Sequence, residues 1–363
     1  MSGSRVVGSV YMDWAKRKQV APHTLAVSGI MGLSWDELGA TEADLALDGL
    51  VGYGHGPLLE AFAAKSKVGP ERIVLASGTS GANHLALATL LADGGEVALE
   101  SPVYEPVESL VRYLGAPVRA FPRRHENGFR IDPDDVARAV TPRTKAIVLS
   151  NLHNPSSAMV DEKTLRALGA LADRVGAKVV ADEVYLDAAF EAAAPSVASL
   201  GDAYVVTTSL TKVYGLGGLR AGWIVAEPGL AERMWSLKNL FGVNEANPAE
   251  RLAVVALKKS DAILARTRRI LDANRAVWDA FLAGRHDLEV ERLPYGTTSF
   301  PRVLSGSADR LCEILRERYE TSLVPGRFFG AGDHVRLGLC GDPGRFPAAI
   351  ERLGAALDDL KRG

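Results

Sequence analysis

From about residue 70 onward the chain alternates between two kinds of segment, and this constrains it more than any other feature. Short apolar runs at 73–75, 96–99, 118–121, 146–149, 178–181, 204–207 and 223–225 take turns with longer stretches of helical spacing at 80–91, 105–114, 133–140 and 161–175. Gly, Pro, Asp or Ser punctuates most of the junctions. Strands that alternate with helices need crossover connections, and those are satisfied by an α/β fold with a mostly parallel central sheet.

After Pro248 the texture changes. Residues 250–283 form one long, charged, amphipathic stretch that reads as a connecting helix. Beyond it the pattern predicts strands at 288–293, 298–303 and 334–339 and helices at 308–319 and 347–360, a smaller α+β unit. The expected organisation is therefore an N-terminal segment (1–45) contributing to a small domain, a large domain (46–248), and the connecting helix with a small C-terminal domain (249–363).

Composition narrows the function. Lys and Arg together number 42 against 44 Asp and Glu, so no net charge draws the chain to nucleic acid or to an anionic membrane. The two cysteines, Cys312 and Cys340, supply neither a disulfide framework nor a cysteine-rich metal site, and no metal is expected. Residues 1–20 lack the apolar core of a signal peptide, and the least charged stretch, 75–92, is too polar in its first half to face lipid. The cytoplasm is the expected location.

Four loci could carry chemistry. In Thr208-Ser209-Leu210-Thr211-Lys212, a lysine follows an apolar strand and precedes three glycines and Arg220. It is either a solvated loop lysine or a desolvated one able to form a Schiff base, with Arg220 on a phosphate nearby. Asp182, in Ala181-Asp182-Glu183-Val184-Tyr185, stands at a strand end, where α/β folds build ligand sites; it could equally cap a helix. Asn154, in His153-Asn154-Pro155-Ser156-Ser157, also follows a strand, in a segment that alone reads as a turn. Ser77-Gly78-Thr79-Ser80-Gly81-Ala82-Asn83 joins a strand to a helix and offers free N–H groups to an anion. It fits neither the P-loop nor the dinucleotide fingerprint.

Taken in order, these loci resemble the class I/II aminotransferase family of fold-type I pyridoxal-phosphate enzymes. The likeness extends to Tyr53 in Gly52-Tyr53-Gly54-His55-Gly56-Pro57, and to Pro325-Gly326-Arg327-Phe328-Phe329-Gly330 followed by Arg336. It implies a fold-type I architecture with pyridoxal 5'-phosphate as cofactor. Lys212 would be the Schiff-base lysine and proton shuttle, Asp182 the partner of the pyridine nitrogen, and Asn154 and Tyr185 the partners of the ring's phenolic oxygen. Gly78, Thr79, Ser80, Ser209 and Arg220 would hold the phosphate, and Tyr104 would lie against the ring face. Tyr53 would reach the cofactor phosphate of a neighbouring subunit in a homodimer. Arg336 would clamp the substrate α-carboxylate, and Asn154 and Gly29 would also lie at the substrate; without the family pattern, Arg336 would read as an exposed residue on an edge strand. Two departures stand out. Ser156-Ser157 replaces the family's usual Thr-Gly, and Tyr104 stands where many members have Trp or Phe.

The resemblance implies amino transfer between an L-amino acid and a 2-oxo acid. The alternative keeps the cofactor and changes the reaction to that of a cyclase, lyase or oxidase. A non-enzymatic effector-binding module is disfavoured, because the resemblance begins near residue 10 with no basic helix-turn-helix before it. Trp14, His84, Trp235 and Arg327 remain open as specificity residues or as packing.

Overall fold

A computed structural model of the chain describes residues 8–17, 21–49 and 52–362. The seven apolar runs become the strands of one sheet: β1 (Ile73–Ser77), β2 (Glu96–Ser101), β3 (Val118–Pro122), β4 (Thr144–Ser150), β5 (Lys178–Asp182), β6 (Tyr204–Ser209) and β7 (Ala221–Val225). Their spatial order is β1-β7-β6-β5-β4-β2-β3. β7 runs antiparallel to both its neighbours, and the other pairings are parallel. Central strands such as Val179-Val180-Ala181 are buried on both faces, as a helix-covered parallel sheet requires.

Local chemistry sets the helix limits. Asp161 accepts a hydrogen bond from the Thr164 amide at 2.8 Å and so caps helix Glu162–Val175, which Gly176 ends in the left-handed conformation. Asp132 caps Pro133–Ala139 in the same way.

The sheet register fixes where a site can form. Asp182, the last residue of β5, pairs with Ser150 at the end of β4 on one side and with Thr207 of β6 on the other. The carboxyl ends of three adjacent strands thus finish along one line, and the loops that leave them share one crevice.

The C-terminal part holds a three-stranded antiparallel ribbon in which Val335–Gly338 lies between Thr298–Ser299 and Val324–Pro325. Helices Ala308–Tyr319 and Phe346–Arg362 pack together beside it. The chain's beginning joins this part: His23–Thr24 pairs in parallel with Thr321–Ser322.

Three expectations need correction. The stretch 250–283 is two helices, Asn247–Lys258 and Ser260–Ala283. Lys259 leaves helical geometry between them (φ −111°, ψ 15°), and its ammonium group is held on the Leu38 carbonyl at 2.8 Å. The run 298–303 splits into Thr298–Ser299 and Arg302–Val303 around Pro301, which has no N–H to offer a ladder. The run 288–293 keeps only Leu288–Glu289 as strand, paired with Arg302–Val303. Among the described residues, no helix is long and apolar enough to cross a membrane.

Candidate active site

The crevice at the strand ends opens into a cavity of about 530 Å³ whose lining includes Thr79, Ser80, Asn83, Tyr104, Asn154, Asp182, Tyr185, Lys212 and Arg220. Beside it lies a second, more open cavity of about 440 Å³, lined by Tyr11, Ser28, Gly29, Tyr104, Lys212 and Arg336 among others. Lys212 and Tyr104 belong to both.

One end of the first cavity is built for an anion. β1 ends at Ser77, and Gly78 turns the chain with φ +66° into helix Gly78–Leu90, which brings Thr79 and Ser80 into its first turn. The hydroxyls of Thr79 and Ser209 lie 2.7 Å apart, and Ser209 is the same distance from the Thr211 hydroxyl. Ser209 is buried behind Thr79 and does not line the cavity. Arg220, itself at φ +53°, folds over this turn and donates to the Ser77 and Gly217 carbonyls at 3.3 Å each. A guanidinium, small hydroxyls and a helix N-terminus therefore converge at one point.

The middle of the cavity holds a half-buried acid and an amine. Asp182 accepts from the Asn83 side chain at 3.0 Å and from the Val184 amide at 3.1 Å. The second bond is the capping role read from the sequence, and it leaves the carboxylate on the cavity wall. Burial pushes its carboxyl up, and the Asn83 and Val184 hydrogen bonds oppose that shift. Burial pulls the Lys212 amine down, and the nearby Arg336 charge adds to the effect. The Tyr185 hydroxyl donates to Ser28 at 2.9 Å. The Tyr104 hydroxyl donates to Met12 Sδ at 3.2 Å.

Arg336 is fully buried, at 1% exposure, on the central strand of the ribbon. The edge-strand alternative is thereby overturned. Its Nη1 donates to Asn154 Oδ1 at 3.2 Å, and its Nη2 to Tyr11 Oη at 2.9 Å and to the Ala26 carbonyl at 3.0 Å. Among the described residues its Nε has no hydrogen-bond partner and no carboxylate forms an ion pair with it. A buried guanidinium served only by neutral acceptors suits an anionic guest. Gly29 packs beside Lys212, where an added Cβ would lie 3.3 Å from the lysine Cδ.

Other residues fall elsewhere. Tyr53 is 45% exposed and stacks on Trp235 at 4.7 Å between centroids, outside both cavities of this chain. His84 stacks on Phe241, and Arg327 pairs with Asp309; neither lines either of these two cavities. Trp14 packs on Tyr11 and Phe328. Ser157 adopts φ +65°, which explains a family preference for glycine there, and its hydroxyl is held by Thr298. The sequence does not single out Asn83, Glu100, Tyr11 or Met12 as site residues. Asn83 stands within the Ser77–Asn83 motif, but nothing local points it at Asp182. Glu100 is a fully buried carboxylate paired with Arg123 at 2.7 Å and bonded to the Ser150 amide and hydroxyl at 2.7 and 2.6 Å.

These residues fit a phosphorylated pyridine aldehyde: an anion cradle at one end, a half-buried carboxylate for a ring nitrogen, and an amine of lowered basicity between them. Comparison with known proteins agrees. The family model for aminotransferase class I and II matches residues 50–353. Capreomycidine synthase of Streptomyces vinaceus is 32% identical over 97% of this chain and 95% of its own length. Arginine–pyruvate transaminase of Pseudomonas aeruginosa is 31% identical over 75% of this chain and 71% of its own length. Among solved structures, a PLP-dependent aminotransferase from Streptococcus suis superposes with a TM-score of 0.90 at 26% identity, covering 96% of each chain. The PLP-dependent cyclase OrfR superposes with a TM-score of 0.87 at 28% identity, covering 99% of each. The fold is fold-type I and the cofactor is pyridoxal phosphate. The chain belongs to the class I and II aminotransferase family.

Proposed function

We propose that this protein is a pyridoxal-phosphate-dependent aminotransferase that moves an amino group between an L-amino acid and a 2-oxo acid. One observation carries the reading: Lys212 lines both the cofactor cavity and the adjoining cavity that holds Arg336. An amino acid whose carboxylate is held by Arg336 brings its Cα towards Lys212 Nζ.

When bound, the cofactor supplies an electrophilic carbon for the amino group and a ring that spreads negative charge. Lys212 takes the proton from Cα and returns a proton to the product side; its lowered basicity keeps more of the amine free to do so near neutral pH. Asp182 holds a proton on the ring nitrogen, and Asn83 orients that carboxylate. Asn154 and Tyr185 bind the ring's phenolic oxygen, and Tyr104 covers the ring face. Gly78, Thr79, Ser80 and Arg220 grip the phosphate, with Ser209 steadying Thr79. Arg336 clamps the substrate carboxylate with a planar fork, helped by Asn154, while Gly29 leaves room.

The same reading has a cytoplasmic homodimer in which Tyr53 serves the partner's cofactor phosphate. Its support is an exposed apolar patch with Leu240 at 80% exposure, Phe241 and Val243, and two buried, unpaired cysteines that suit a reducing compartment. The division at residues 45 and 248 belongs to this proposal, and the pairing of His23–Thr24 with Thr321–Ser322 supports it.

A second reading, ring closure of an amino acid, is favoured by one observation. In sequence, the likeness to capreomycidine synthase covers 97% of the chain, whereas the match to the arginine–pyruvate transaminase covers 75% of it. Incubation with a panel of amino acids and no 2-oxo acid separates the two. An aminotransferase releases one equivalent of 2-oxo acid per site and stops, whereas a cyclase turns over and keeps the amino nitrogen in its product. Borohydride reduction of the holoenzyme should fix the cofactor on Lys212, and an adduct mapped to any other lysine refutes the assignment.

A further inference from the structure

Arg336 meets a hydroxyl from the far end of the chain. Helix Val10–Arg17 lies at the mouth of the substrate cavity and turns Tyr11 inward, 325 residues from the arginine it touches. Tyr11 is buried, and its ring is wedged among Tyr104, Phe328 and Phe329 with centroids 5.5, 5.5 and 5.9 Å away. The helix is pinned as well. Glu105 accepts from the Tyr11 amide at 3.3 Å and from the Ser9 hydroxyl, and Met12 receives the Tyr104 hydroxyl. The position of the Tyr11 oxygen is therefore fixed by the packing of its ring and by the anchored helix.

The hydrogen-bond directions then matter. An arginine N–H can only donate, so the Tyr11 oxygen accepts from Arg336 Nη2. Its own proton points elsewhere, and among the described residues nothing accepts it. A phenol that receives a hydrogen bond from a guanidinium is polarised into a better donor. It stands beside the arginine, in the wall of the same cavity, where an anion would sit.

We propose that Tyr11 is a substrate-binding residue: its hydroxyl donates to the same α-carboxylate that Arg336 clamps, which makes helix Val10–Arg17 part of the substrate site. This rests on the reading of Arg336 as the carboxylate clamp. It goes beyond that reading in giving the N-terminal helix a direct share in substrate affinity. The hydroxyl selects for a carboxylate and has no bond-making role.

The test uses the holoenzyme and Tyr11→Phe, which keeps the ring packing and removes only the donor. KM for the preferred amino acid should rise about ten- to hundredfold, the worth of one hydrogen bond to a charged group, with kcat little changed. Binding of the matching amine without the carboxylate, and of the cofactor, should not move. An unchanged KM, or an equal loss for amine and amino acid, overturns the proposal. Glu105→Gln, which loosens the helix without touching Arg336, should shift the same amino-acid-to-amine ratio in the same direction by a smaller factor; an unmoved ratio counts against the proposal even if Tyr11→Phe fails to fold. Arg336→Lys separates the two readings. If it leaves the amino-acid-to-amine ratio intact, the clamp itself is wrong. If it abolishes the ratio while Tyr11→Phe does not change it, only the role of Tyr11 fails.

Discussion

The side-chain amide of Asn83 donates to the carboxylate of Asp182 over 3.0 Å, and its carbonyl oxygen accepts from the Thr207 hydroxyl. The helix that begins at Gly78 thus also aims the acid on the cavity wall. Asn83 is buried and Asp182 half-buried, and in so little water such a bond fixes geometry.

Asp182→Ala should therefore lose far more rate than cofactor affinity, because an anionic partner matters most when negative charge enters the ring. Asn83→Ala should show a milder form of the same asymmetry, with a fall in kcat on the order of tenfold. Steady-state kinetics beside a cofactor titration read both. Equal losses of rate and affinity would mark the aspartate as structural only.

Glu183 gives the fold a pH dependence that is separable from catalysis. It is buried, it accepts from the Val197 amide at 2.9 Å, and burial pushes its carboxyl up to about 7, against 4.5 in an unfolded chain. Between those values the folded state carries a proton that the unfolded state has lost, so stability is full below about 4.5 and declines as pH rises through 7. Glu183→Gln should flatten that decline, narrowing the Tm difference between pH 5 and pH 8. A variant with the same slope as wild type would assign the effect to another group.

The chemistry legible in the sequence was the part presented by strand ends. Asp182, Asn154 and Lys212 each follow an apolar run, and a parallel sheet sends the loops after such runs to one edge. Asn83 was not legible in that sense, because its role depends on how a helix is rotated against β5. Tyr11 depends on a contact across 325 residues, which no local pattern encodes. The break at Lys259 has the same character: propensity carries the helix through, and the bond from its ammonium group to the Leu38 carbonyl is reached only in three dimensions. Arg336 stands between these cases. The motif singles it out, but its burial comes from the ribbon strands on both sides.

Tyr53 tests the assembly. It is stacked on Trp235 at the surface and lies outside the cavities of its own chain. If it serves the partner's cofactor phosphate, mixing inactive Tyr53→Ala with inactive Lys212→Ala protein should regain activity as hybrid dimers form. Size-exclusion chromatography with light scattering should report two chains per particle. An active monomer, or a mixture that stays inactive after proven subunit exchange, would refute a shared site.

Gly78→Ala probes the phosphate end through backbone geometry alone. Gly78 sits at φ +66°, where a Cβ strains the chain by about 1 kcal/mol or more. That Cβ would also lie 2.3 Å from Arg220 Nη2, closer than any tolerated contact. Arg220 can give way, since its own hydrogen bonds to Ser77 and Gly217 are long, at 3.3 Å. Its guanidinium would then leave the turn that holds Thr79 and Ser80. The expected result is a folded protein with Tm lowered by a few degrees and cofactor affinity weakened on the order of tenfold or more, as befits the loss of a charge-assisted contact. The weakening should appear as a faster loss of cofactor on dialysis, with the borohydride adduct still confined to Lys212. Gly217→Ala is the control, because an added Cβ there meets nothing closer than 3.8 Å and its φ lies outside the left-handed range. Should both variants lose the cofactor equally, mobility of the whole loop would be the cause and displacement of Arg220 would not.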